Sequence, residues 1–274
     1  MNKGLIIITL FILFSICLSS CQTYKGEKEM LPMVTAVFPS TDTLPENLLR
    51  MYIHFSKSMK IIGNLEKIKL MDENDQEVVG AIFNNVYELW DKEQKQLTLI
   101  FDPSRVKTGL VVYKEKGRAL QVGKNYQLVI GQLEDVEGNK LKEVFTKSFV
   151  VSKEDRLSPS TALWEIKTPQ ANTRSPLIVQ FPDILDRLSL LQRLQLTAKN
   201  NEPISGKVTI SKQETKWLFV PTKKWSADDY VLYIHGRLED PCGNNLNGLF
   251  DHKIGNMKNE QEEFIESIHL KITN

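Results

Sequence analysis

The residues of this chain that could do chemistry by type are four histidines, three cysteines and several acidic turns. His54, His235, His252 and His269 stand far apart and never fall into the paired spacing by which a short segment holds zinc. His54 and His235 lie in strand-like runs beside core positions, and the expectation is that they face solvent or a neighbouring loop. Asp135-Val136-Glu137-Gly138-Asn139 and Asp240-Pro241-Cys242-Gly243-Asn244 share an Asp-x-x-Gly-Asn pattern. A calcium ion wants about six to eight oxygens and one such turn offers too few. The reading is therefore a tight turn, with glycine at positive φ and the Asp and Asn side chains bonded to the local backbone. Asp72, Glu73, Asp75 and Glu77, and Glu260, Glu262, Glu263 and Glu266, are acidic clusters of the kind that form solvated surface. Cys242 has no histidine near it in sequence to activate it, and Cys17 and Cys21 both lie in the N-terminal segment, which leaves no internal pair for a disulfide. No Gly-x-Ser-x-Gly elbow, phosphate-cradling glycine loop or His-Glu-x-x-His helix is present. No catalytic residue, metal ligand or cofactor is assigned. A carboxylate pair that meets only in space, as in glycosidases, stays open.

Positioning such residues takes folded domains, and the composition supplies them. With 41% hydrophobic and 25% charged residues the chain is of the globular class, and 274 residues is enough for two domains of ordinary size. The net charge is +1, with lysines and arginines spread along the chain. Without a basic block there is no electrostatic footprint for phosphate backbones, so nucleic acid is excluded as an expected partner.

Residues 1–21 begin with Lys3, continue as an apolar run from Leu5 to Leu18 and end in Ser19, Ser20 and Cys21. That order is an export signal. The run is shorter than the roughly 20 apolar residues a spanning helix needs. Leu18-Ser19-Ser20-Cys21 resembles the lipobox of bacterial lipoproteins. The resemblance implies cleavage before Cys21, lipidation of its sulfur with palmitate-like acyl chains, and attachment to a membrane of the bacterial cell envelope. Each buried methylene adds about 0.8 kcal/mol to such an anchor. In that family an aspartate after the cysteine tends to retain proteins at the inner membrane. Here Gln22 follows, which implies the outer membrane. Residues 22–32 are polar and read as a tether.

From Met33 onward, apolar and polar residues alternate in short runs divided by Pro, Gly, Asn and Asp, as in Met51-Tyr52-Ile53-His54-Phe55 and Tyr230-Val231-Leu232-Tyr233-Ile234. The stretch from Ile184 to Leu196 is ambiguous, rich enough in leucine for a turn or two of helix before a strand. The pattern also repeats. Ile53 and Phe55 answer Val179 and Phe181, Leu70 answers Leu196, Tyr126-Gln127-Leu128 answers Tyr230-Val231-Leu232, and the two Asp-x-x-Gly-Asn turns answer each other. The fold class expected is all-β, with two tandem Ig-like β-sandwich domains at 33–152 and 161–274 joined by a linker at 153–160. Pro103 to Lys124 reads as a longer loop of the first copy, and Asp251 to Glu266 as a charged insert of the second.

Residues 39–59, above all Phe55-Ser56-Lys57-Ser58-Met59, together with the two Asp-x-x-Gly-Asn turns, resemble the bacterial Ig-like domain of the SbsA type. The second copy departs from it, with Phe181-Pro182-Asp183-Ile184-Leu185 in place of that element. The resemblance implies an envelope or cell-surface module without catalytic residues. The function expected is a spacer or docking module for an envelope protein or glycan, with contacts through Lys107–Lys124 and Asn256–Glu266. The alternative is a carbohydrate-binding lipoprotein of a glycan-uptake system, with Trp90 and Tyr113 as platforms for sugar rings. An envelope hydrolase is the third reading.

Overall fold

In Arg50–Phe55 the side chains of Met51, Ile53 and Phe55 point one way and are buried, which the period of two along a strand requires. The same alternation builds fifteen strands in a computed structural model that describes residues 30–84, 87–252 and 265–274. The segment read as an export signal, with Leu18, Ser19, Ser20 and Cys21, most of the stretch read as a tether, and residues 253–264 of the expected insert lie outside the described residues. Among the described residues, no helix is long and apolar enough to cross a membrane.

The first eight strands are β1 Val34–Phe38, β2 Thr43–Pro45, β3 Arg50–Phe55, β4 Ile68–Asp72, β5 Leu89–Trp90, β6 Gln96–Ile100, β7 Asn125–Ile130 and β8 Phe145–Ser152. They form two sheets, β1-β3-β6-β5 and β2-β8-β7-β4, around a core that includes Leu44, Met51, Ile53, Leu70, Leu99 and Leu128. The next seven are β9 Glu165–Lys167, β10 Leu177–Gln180, β11 Leu194–Ala198, β12 Gly206–Ile210, β13 Lys216–Pro221, β14 Asp229–His235 and β15 Ile265–Lys271. They form β12-β13-β10-β9 and β11-β14-β15 around a second core rich in Val179, Phe181, Leu196, Trp217 and Leu232. The repeat seen in the sequence shows in one sheet of each sandwich, to which the first copy adds β2. Leu70 pairs with Leu128 across β4 and β7 as Leu196 pairs with Leu232 across β11 and β14, and β8 and β15 add to β7 and β14 antiparallel. In the second core, stacked rings such as Trp217 on Phe219 at 5.6 Å supply the apolar area that a disulfide-free sandwich relies on.

Both Asp-x-x-Gly-Asn segments form the local turns expected of them. Asp135 Oδ1 accepts the backbone N–H of Glu137 and Asn139, and Asp240 Oδ1 accepts those of Cys242 and Asn244. Gly138 and Gly243 have φ of +89° and +82°, where a side chain would be strained. Two segments differ from expectation. The stretch read as a loop from Pro103 to Lys124 holds two short helices, α1 Pro103–Val106 and α2 Val111–Lys116. Asp102 caps α1, with Pro103 at its first turn, and the buried Arg105 guanidinium donates to the carbonyls of Val79, Gly117 and Arg118. The ambiguous stretch is both things in turn, α3 Arg187–Gln192 followed by β11, with Asp186 as the capping residue through Ser189 N–H.

The outward face of β3 is largely covered by the second sandwich. Tyr52 is buried and its hydroxyl donates to Asp186 Oδ2 at 2.7 Å, while Arg50 pairs with Glu239 at 2.7 Å, so two strand residues of the first sandwich bond across to the second. His54, expected to face solvent or a loop, packs edge-on to Phe38 at 5.1 Å, and the Phe38 ring carries the Arg187 guanidinium at 4.1 Å. Burial and the charge of Arg187 hold the His54 imidazole below its ordinary pKa. Ser40 donates twice to the buried Glu214 carboxylate. The 153–160 segment is bonded on both sides: Asn47 exchanges two hydrogen bonds with the Asp155 backbone, Asn244 donates to the Asp155 carbonyl, and Arg156 pairs with Asp251 at 3.0 Å. Residues Pro32–Asn274 accordingly form one compact unit.

Candidate functional site

Three places on this frame have side chains that could meet a ligand. The first is Trp90, placed by the two-residue strand β5 at the edge of its sheet. It is half-buried, its ring lies 5.5 Å from that of Phe55, and its indole N–H donates to Glu88 Oε2 at 2.9 Å. The other Glu88 oxygen accepts the backbone N–H groups of Asn64 and Leu65. Trp90 thus fastens a loop to the core, and Trp90→Ala is expected to cost about 2 kcal/mol of stability, roughly half the figure for a fully buried aromatic. Urea unfolding of the variant checks this. Tyr113 sits on α2, half-buried, with the Arg118 guanidinium 5.9 Å from its ring centre. The structure gives Trp90 and Tyr113 separate partners and does not assemble them into one platform.

The second place is a pocket of about 380 Å³ lined by Asp72, Glu73, Glu77, Arg105, Arg118 and Lys124. Most of its charges are already engaged. Lys124 pairs with Glu73, Lys69 with Glu77, and Arg118 with Glu46 and Glu154. Asp72 is held below its ordinary pKa by the N–H groups of Gln76 and Asn74. The acidic turn is a local Asx-type turn.

The third place was not legible in the sequence. Between the 155–164 segment and the loop at 181–185 runs a groove of about 140 Å³ walled by Leu157, Leu163, Trp164, Phe181 and Ile184. Three acidic residues also line it, Asp155, Asp183 and the buried Asp240. Burial, with Asp183 nearby, raises the pKa of Asp155. Burial, with Asp155 nearby, pushes Asp240 up to about 7, against the donors of Asn244 and Cys242. Among the described residues none of the three forms an ion pair with a cation. No three His, Cys, Asp or Glu side chains among the described residues converge closely enough to hold a metal ion. The one signal in the sequence was the departure of Phe181-Pro182-Asp183 from Phe55-Ser56-Lys57, which exchanges a lysine for an aspartate. Beside the groove, Cys242 is buried with its thiol pushed well up by burial and its sulfur 3.4 Å from Asn47 Oδ1, so it is an inert packing residue.

No protein-family model matches this sequence, and no curated protein does. Among solved structures the chain is similar to the S-layer protein rSbsC(31-844), with a TM-score of 0.32 and 10% identity over 89% of this chain; it spans 41% of the length of that protein. It is also similar to native alpha-2-macroglobulin from Escherichia coli spanning domains MG0-NIE-MG1, with a TM-score of 0.28, 8% identity, and coverage of 89% of this chain and 91% of that one. A third is the titin domains z1z2 in complex with telethonin, with a TM-score of 0.23, 8% identity, and coverage of 89% and 98%. The fold, read from its own sheets, is all-β, with four sheets packed around two hydrophobic cores.

Proposed function

We propose that this protein is a lipid-anchored, non-catalytic module of the bacterial envelope, in which two SbsA-type Ig-like domains at 33–152 and 161–274 hold a docking surface at a set position from an outer membrane. The observation that carries this reading is the bonded seam. Tyr52 to Asp186 and Arg50 to Glu239 join the two sandwiches through partly or fully buried polar contacts, and Asn47 and Asn244 hold the linker backbone at Asp155 from either side. Two domains on a loose linker would separate and reorient, whereas a seam of this kind lets one body present its surfaces in a fixed geometry. The lipobox-like Leu18-Ser19-Ser20-Cys21 supports the anchor, with Cys21 as the lipidated residue.

Fractionation tests the anchor. With two or three acyl chains at about 0.8 kcal/mol per buried methylene, essentially all wild-type protein is expected in the membrane pellet and the Cys21→Ala variant in the soluble fraction. Unchanged membrane association of the variant would refute the anchored reading. Affinity capture from detergent-solubilised envelopes then tests docking, and recovery of no reproducible partner would reduce the protein to a spacer.

A further inference from the structure

The two copies of the Asp-x-x-Gly-Asn turn differ in what neutralises them. In the first sandwich, Lys57 Nζ lies 3.4 Å from Asp135 Oδ2 and 3.0 Å from Glu137 Oε2, so the buried turn aspartate has a cation of its own. The repeat places Asp183 where the first copy has Lys57, and Asp240 where it has Asp135. Asp240 is as buried as Asp135, at 3% against 1% exposed. Its oxygens accept only neutral donors, from the Cys242 and Asn244 backbone and the Asn244 amide. Where the first copy gained a lysine, the second has two further carboxylates, Asp155 and Asp183.

A buried carboxylate without a cation is costly, and the groove over it is open. Its walls are apolar, and its two rim leucines, Leu157 and Leu163, are 73% and 64% exposed. The volume is close to that of a cavity that takes one benzene-sized group, enough for one side chain and too small for a folded element. Apolar walls with a negative floor complement an aliphatic stem ending in an ammonium group.

We propose that this groove docks a partner protein segment that presents a lysine between apolar residues, its ammonium taking the place beside Asp240 and Asp183 that Lys57 takes beside Asp135, and its apolar neighbours covering Leu157 and Leu163. The proposal deepens the docking reading above and rests on it. A surface of this size serves as an anchor point within a larger contact, and its share of the binding energy comes from the desolvated charge pair.

The test uses the full-length chain in detergent micelles and two synthetic peptides, acetyl-Leu-Lys-Leu-amide and its neutral counterpart with norleucine in the middle. Binding is read by NMR from the Trp164 indole and the methyl groups of Leu157 and Leu163. The lysine peptide is expected to shift these signals saturably and the norleucine peptide to bind about tenfold more weakly, a difference that shrinks in high salt. Asp183→Asn should weaken the lysine peptide about fivefold. Asp183→Lys restores the charge pattern of the first copy and should abolish binding while the melting temperature holds or rises, which separates loss of the site from loss of the fold. Equal binding of both peptides, unmoved Trp164 and leucine signals at millimolar peptide, or binding retained by Asp183→Lys would each overturn the proposal, as would calcium reproducing the same shifts. These results bear on the groove alone, whereas the Cys21→Ala fractionation bears on the anchor alone.

Discussion

Replacing Asp186 by alanine is expected to destabilise the protein by about 3 kcal/mol, the sum of a lost helix cap and a buried hydroxyl left unpaired. Asp186 is 3% exposed and serves both sandwiches at once: Oδ1 accepts the N–H of Ser189 at the start of α3, and Oδ2 accepts the hydroxyl of Tyr52 from β3. Burial raises its pKa, and the charge of Arg50 opposes that rise. Tyr52→Phe removes the hydroxyl, with its bond to Asp186 and its contact with Arg50, and should cost about 1 to 2 kcal/mol. The double variant should cost less than the two singles together, because both delete the same interaction. Urea unfolding followed by fluorescence and by circular dichroism measures this. The two probes should coincide for the wild type and part for Asp186→Ala as the sandwiches uncouple. A cost below 1 kcal/mol, or strict additivity in the double variant, would show that the seam does not join the two cores energetically.

The stability of the unliganded protein is expected to fall as pH rises from about 4 to about 7, by up to about 4 kcal/mol from Asp240 alone. The sign follows from the direction of the shift. The Asp240 pKa is raised from 3.8 to about 7, so between those values the folded state holds a proton that the unfolded state has released. Raising the pH through that window therefore favours unfolding, and above about 7 the full penalty is present. Asp155, Asp186, Glu214 and Glu239 are all raised by burial and act in the same sense. Chemical denaturation at pH 5 and pH 8 should show the wild type weaker at pH 8, and Asp240→Asn, which cannot ionise, should show a smaller difference. Equal stability at the two pH values would show that ionising Asp240 carries no such penalty. Saturation with the lysine peptide should recover part of the loss at pH 8, since a ligand that binds only the folded state adds to its stability.

Much of the fold was readable because the interactions that make it are local or periodic. Met51, Ile53 and Phe55 announce a strand with one apolar face, and the structure buries all three. The two Asp-x-x-Gly-Asn turns close through bonds that span two to four residues, so residue type and spacing sufficed to read them. Leu70 with Leu128 and Leu196 with Leu232 show why the repeat was visible, since the same pairing imposes the same apolar positions on both copies.

The other face of β3 marks the limit. Arg50, Tyr52 and His54 have the polar character of a solvent face, and their alternation is the same whether water or a second protein layer covers them. The structure covers them with Asp186, Arg187 and Glu239 from the second sandwich. The groove is a still longer-range feature, since Asp155, Asp183 and Asp240 come from a linker, a strand end and a turn that meet only when the second core has closed. The amino-acid order alone determined the alternation, the turns and the doubling of one sandwich, because each depends on neighbours in the chain. Tertiary structure decided which polar faces are sealed and which carboxylates lie without a cation, because burial and charge balance depend on groups brought together across distances that no local pattern records.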